Sequence, residues 1–151
     1  MNSVTHRVPG DLDDLARRFD ALTLTKPEWT HAAHLAVGLW HVSRYGRDDA
    51  LTRLRRGIRR LNESHGTLNT ATGGYHETVT RAYAQLLAAF AERRADESVA
   101  RRLAHLYASP LAGRQVLLRF YSRARLESSE ARLDWVEPDV APLALDRALE
   151  A

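Results

Sequence analysis

Seven histidines and no cysteine set the chemistry open to this chain of 151 residues. Without thiolates it has no disulfide, no iron–sulfur cluster and no Cys-type zinc site, so reactivity falls to imidazoles, carboxylates, hydroxyls or a bound cofactor. Two histidines lie close in the segment WTHAAHLAVGLWHVSRYG. On a helix, His31 and His34 share one face with Cβ atoms about 5–6 Å apart, a spacing at which two imidazoles can share a metal ion. Ala32, Ala33, Leu35, Ala36, Val37, Leu39, Trp40 and Val42 fill nearly every other direction. A helix apolar all round belongs at the centre of a fold. In GYHETVTRAYAQLLAAF, a turn of about 100° per residue brings His76 inside the apolar arc of Val79, Ala82, Tyr83, Leu86, Leu87 and Phe90. Inward histidines from two helix starts predict a three-nitrogen site, His31, His34 and His76, with a position open for water or substrate. One divalent transition metal is the expected cofactor. Zinc suits an all-imidazole site, with iron, copper or nickel as alternatives. A metal-bound water, its pKa brought to about 7, would serve as nucleophile or base.

Neighbouring residues supply the remaining roles. Glu77 or His65 is the candidate fourth ligand or acid/base, and Tyr75, Asn69 and Thr80 would orient a substrate. Each has a structural alternative. With Gly74 as N-cap, Glu77 occupies the reach-back position of a capping box. His65 extends the apolar stripe of Ala50, Leu51, Leu54, Ile58 and Leu61, and equally suits a helix C-terminus, with Asn69 bonding within the following loop. His41 lies about 10 Å along the axis from His34 and reads as structural.

The elements that must position these residues are helical. Proline and glycine mark helices over 11–22, from Pro27 to about Tyr45, from Asp48 to about His65, from near Tyr75 to about Arg94, over 97–108 and over 110–123. GTLNTATGG is a loop of small polar residues. Pro138 and Pro142 hold part of the C-terminal segment extended, anchored by Trp135 and Val136. If this strap crosses the helix starts, Glu137 and Asp139 become ligand-binding candidates that accept an imidazole N–H. The expected fold is all-α: a compact single-domain bundle of about six helices with an extended C-terminal strap, residues 1–10 and 144–151 being flexible ends.

Hydrophobic residues at 44% and charged residues at 27% argue against a disordered chain. No apolar run is long enough for a membrane span and no signal peptide is visible, so a cytoplasmic protein without membrane partners is expected. The net charge is only +3, and all but one of the 22 basic residues are Arg, Lys26 being the exception. Arg53, Arg55, Arg56, Arg59 and Arg60 line one helix face, read as a solvated surface. No zinc-finger or aromatic RNA-binding motif accompanies it, so nucleic acid is not an expected partner.

Three stretches, WTHAAHL at 29–35, NTATGGYHETVT at 69–80 and FYSRARLESSEARLDWVEPDVAPL at 120–143, resemble the signature of a family of small uncharacterised all-helical bacterial proteins. The resemblance implies that the histidine pair, the Tyr-His-Glu-Thr segment and the Glu-Pro-Asp strap belong to one design. The leading expectation is a metal-dependent hydrolase or lyase acting on a small polar metabolite. The alternatives are a metal-free ligand-binding protein or acid/base enzyme using the same histidines, and a structural or interaction protein.

Overall fold

Hydroxyl side chains start four of the helices. Thr30 accepts a hydrogen bond from the Ala33 amide (3.1 Å), and Ser98, Ser122 and Ser128 do the same for Arg101, Arg125 and Ala131. The computed structural model describes residues 12–151, which form helices, turns and irregular chain with no strand. The helices are α1 (Leu12–Asp20), α2 (His31–Tyr45), α3 (Arg47–Ser64), α4 (Glu77–Arg93) and α5 (Val99–Tyr107), then three short ones, α6 (Arg123–Leu126), α7 (Ser129–Leu133) and α8 (Leu145–Leu149). None is long and apolar enough to cross a membrane.

α2, apolar on nearly every side, is the central helix and packs against α1, α3, α4 and α5. Leu35, Leu39, Leu86, Leu87, Leu103, Leu106, Leu111, Phe120 and Tyr121 form the main core, each at most 2% exposed. Full burial of each such side chain stabilises the fold by about 1.5–3 kcal/mol. A second cluster gathers Phe19, Leu24, Val37, Leu54 and Leu61 where α1 lies over α2 and α3. Gly57 makes this crossing possible, since a Cβ there would collide with the Phe19 ring.

Three boundaries differ from the sequence expectation. Pro27 opens only a 3₁₀ turn, Lys26–Glu28, and the chain breaks at Trp29 and Thr30 before α2. The turn is fastened by Glu28, which accepts from the Thr25 amide at 2.9 Å, and Thr30 caps a new helix rather than continuing the old one. The helix expected over 110–123 is instead two 3₁₀ turns, Pro110–Ala112 and Val116–Arg119, interrupted at Gly113. At the C-terminal end, α8 packs through buried Leu145 and Ala148, so residues 145–149 are ordered helix. The expected flexible segment 1–10 lies outside the described residues. The strap is extended between α7 and α8, with Val136 buried and the Val140 amide donating to the Phe120 carbonyl at 2.9 Å.

Candidate ligand cavity around His34

His34 sits in the first turn of α2, and its Nδ1 lies 2.7 Å from the Thr30 carbonyl four residues back. A carbonyl only accepts, so Nδ1 carries the hydrogen and Nε2 keeps its lone pair. Trp29 stacks on the imidazole with ring centroids 3.7 Å apart. Burial pushes the His34 pKa down to about 4; the Thr30 bond opposes this and nearby His31 adds to it. The ring is therefore neutral near pH 7. The residue is exposed, with one ring face covered by Trp29, and it borders two cavities.

The first cavity, about 320 Å³, lies between α2, α3 and α4. Leu35, Leu54, Ile58 and Leu87 make its apolar walls, and His31, His34, Thr80, Tyr83 and Arg114 supply polar groups. Gly38 faces the same space, where an added Cβ would lie 2.9 Å from Leu87 Cδ1. The second, about 390 Å³, is bordered by Lys26, Trp29, Asn62, His65, Tyr75 and His76. Both share His34, Ile58, Val79 and Thr80, so they adjoin at the start of α4. The size and lining match those of a small-molecule site.

The three histidines expected to bind a metal are held by backbone groups. His31 Nε2 donates to the Ala112 carbonyl at 2.9 Å, tying α2 to the turn after α5. His76 is the N-cap of α4: Nδ1 accepts from the Val79 amide at 3.1 Å and Nε2 donates to the Leu126 carbonyl at 2.8 Å. With both nitrogens engaged, His76 has no lone pair available to a metal in this arrangement. Its pKa is lowered, chiefly by burial. His31 borders the first cavity and His76 the second, with His34 bordering both. Among the described residues, no group of three His, Asp or Glu side chains is placed to hold a metal ion.

Glu77 has another task. His76 caps the helix in place of Gly74, which puts Glu77 in the first turn instead of the expected reach-back position. Its side chain, 12% exposed, accepts from Arg55 Nε and Nη2 at 2.8 and 2.6 Å and from the Tyr75 hydroxyl at 2.7 Å. Burial alone would raise the Glu77 pKa, but the Arg55 fork and the Tyr75 hydroxyl outweigh it, leaving the carboxyl below its usual value. Tyr75, buried and donating to this carboxylate, titrates above its usual range. These two candidate catalytic residues thus join α3 to α4. The arginine face is solvated at Arg56, Arg59 and Arg60, while half-buried Arg55 grips Glu77 and half-buried Arg53 lies over Tyr45 at 3.8 Å; Arg59 also lies over the Tyr75 ring at 5.5 Å.

His65 Nε2 donates to the Leu24 carbonyl at 2.7 Å and fixes the end of α3. Asn69 clasps the following loop: Oδ1 accepts from Asn62 Nδ2 (3.1 Å) and the Tyr75 amide (2.9 Å), while Nδ2 donates to the Arg59 carbonyl (3.1 Å). Thr80 donates to the His76 carbonyl at 2.8 Å and borders both cavities. His41, 1% exposed, donates to the Val37 carbonyl at 2.7 Å inside the core, in keeping with a structural role.

The strap does cross the start of α4, where Thr78 donates to the Asp134 carbonyl and accepts from the Val136 amide, but it does so on the far side. Thr78, Arg81 and Gln85 face roughly opposite to Thr80, Tyr83 and Leu87 at about 100° per residue. Asp139 accepts from the Ser122 amide at 2.7 Å and Glu137 from the Trp135 indole at 2.9 Å. Both border a separate surface cavity with Arg81 and Gln85. Neither reaches the histidines as expected.

Sequence reasoning missed Arg114 and Lys26 and gave Trp29 and Tyr83 no role at the site. Tyr83 was visible as part of an apolar arc, and Trp29 as the residue before the Thr30 cap. Arg114 had no signal, because its segment read as plain helix. The Trp29 Nε1 donor is buried without a partner among the described residues, a local cost in the fold beside His34. No family model, curated protein or solved structure matches the chain.

Proposed function

We propose that the chain binds a small molecule in the adjoining cavities at His34, with the neutral imidazole as hydrogen-bond acceptor and general base, and that the site works without a metal ion. The observation that carries this reading is the fixed His34 tautomer. Nδ1 is committed to Thr30, which leaves the lone pair on Nε2, on a ring bordering apolar space large enough for a ligand. A base whose conjugate acid titrates near 4 is weak, so acceptance of a substrate hydrogen bond is its first task. Thr80 and Tyr83 add hydroxyls to the same wall.

The test is ¹⁵N-edited NMR of the imidazoles during titration with 4-phenylbutan-1-ol, a neutral probe with an apolar body. Binding is expected to shift the His34 resonances and the fluorescence of stacked Trp29, while His41 stays unmoved. Failure to bind, or binding that leaves His34 untouched, would overturn the reading. A metal-dependent reaction would require His76 to release its bonds to Val79 and Leu126 before ligating. Metal analysis of untagged protein addresses that reading. So do melting curves across pH 5–8 with zinc, copper, nickel or ferrous iron against chelator. The curves are expected to coincide, and a metal-dependent gap that closes on acidification would restore the three-histidine site.

A further inference from the structure

The charges around the two cavities are of one sign. Among the described residues, Arg114 is the only Arg, Lys, Asp or Glu bordering the 320 Å³ cavity, and Lys26 is the only one bordering its neighbour. Arg102, Arg119, Arg125 and Arg132 each donate to a backbone carbonyl. Arg114 is exposed at the rim of the apolar 320 Å³ cavity and makes no hydrogen bond, ion pair or ring contact among the described residues. It also borders a third cavity, where His31 and Tyr83 recur and where Glu127 is already paired with Arg123 at 3.3 Å. Glu127, the only acid bordering that third cavity among the described residues, is thus already engaged, and Arg114 has no ion pair of its own there.

A guanidinium beside apolar walls favours a carboxylate, which it can hold through two parallel hydrogen bonds, and the attraction strengthens as water is excluded. One cation answers one negative charge; a second would lie uncompensated against Leu35, Leu54 and Leu87. Volume limits the rest of the molecule. A cavity of about 150 Å³ accepts benzene, so twice that space holds roughly a dozen non-hydrogen atoms.

We infer that the ligand is a singly charged carboxylate with an apolar body of about that size, its head on Arg114 and its body between Leu35, Leu54 and Leu87. This rests on the reading of the cavity as a ligand site. Tyr83 then stands near the head group, an N–H or O–H carried on the body would answer the His34 lone pair, and the more polar space beside Lys26 takes whatever extends past Thr80.

Isothermal titration of the full chain with 4-phenylbutyrate, 4-phenylbutan-1-ol and 4-phenylbutylamine tests it, because the three differ in head charge and little else. Wild-type protein is expected to bind the acid about tenfold tighter than the alcohol and the amine most weakly, with salt weakening the acid alone. Arg114→Gln should bring the acid to within about threefold of the alcohol and leave the alcohol unchanged. Arg101→Gln, on the exposed face of α5, should keep the preference. Alcohol binding without an acid preference in the wild type would overturn this inference and leave the cavity reading standing. A preference that survives in Arg114→Gln would overturn the assignment of the head to Arg114. Failure of all three probes to bind would overturn both. The wild-type comparison stands whether or not the variant folds.

Discussion

Replacing Glu77 by Gln keeps the shape of the side chain and removes its charge. The carboxylate is almost fully enclosed and receives two bonds from Arg55 and one from Tyr75. The amide has a single acceptor oxygen and turns an NH₂ group toward a guanidinium. One hydrogen bond to a charged group contributes about 1.5–3 kcal/mol, and removing one partner of a fully buried ion pair costs about 3–5 kcal/mol. The Arg55 side chain is 39% exposed, so water replaces part of what it loses. The expected cost is about 2–3 kcal/mol. In a chain of this length that lowers Tm by roughly 5–10 °C. The pH dependence separates charge from shape. The folded-state pKa of Glu77 lies below its ordinary value of 4.5, so the ionised form stabilises the fold fully above that value, and the contribution is lost as pH falls through the folded pKa. Urea unfolding followed by circular dichroism should show the full gap between wild type and Glu77→Gln at pH 7. The gap should shrink below about pH 4.5 and close where the wild-type carboxyl is protonated in both states. Equal stability at pH 7, or a gap unchanged at pH 3, would refute the fork as the role of Glu77.

Gly74→Ala should cost about 2–4 kcal/mol in the same assay, because φ is +77° and a Cβ would strike the Leu68 carbonyl and lie 2.7 Å from Asn69 Oδ1; a neutral result would contradict the loop geometry. His76→Ala should cost about 1–2 kcal/mol, and His76→Asn should recover the capping share; if Asn fares no better than Ala, Nδ1 is not the cap. Because the His76 pKa is depressed on folding, its contribution is present above about pH 6.5 and is lost as pH falls from there, so the gap between wild type and His76→Asn should narrow on mild acidification. By NMR, His34 should remain the neutral Nδ1–H tautomer at pH 6 and titrate near 4; a midpoint near 6.5 would contradict the depressed pKa assigned to this imidazole.

The central position of α2 was legible because its polar residues are few and histidines take most of them. The grouping of His31 and His34 on one cavity wall was legible too, since three residues of helix fix their relation. What His76 does was not. Periodicity places it on an inward face, but its bond to Leu126 joins residues fifty positions apart, and no local pattern reports such a partner. Glu77 was placed at a helix start for the right reason and in the wrong register, since the cap two residues later is an imidazole, outside the usual capping set. The helix expected over 110–123 failed because apolar residues at helical spacing pack equally well from two 3₁₀ turns broken at Gly113. That break is what leaves Arg114 at the cavity edge.

The clasp made by Asn69 separates two properties that most binding sites confound. Its three bonds hold both ends of the loop between α3 and α4, so the wall formed by Thr67, Gly74 and Tyr75 is secured at its roots. The tip, Thr70 to Gly73, is closed by its own short turn, the Thr70 amide donating to the Gly73 carbonyl at 2.9 Å. Residues added at that tip would extend the edge of the 390 Å³ cavity beyond Thr67 and Gly74 while the bundle core keeps its packing. Selectivity for ligands of different length can therefore diverge among descendants of this fold without a compensating change in Leu35, Leu87 or any other residue on which folding depends.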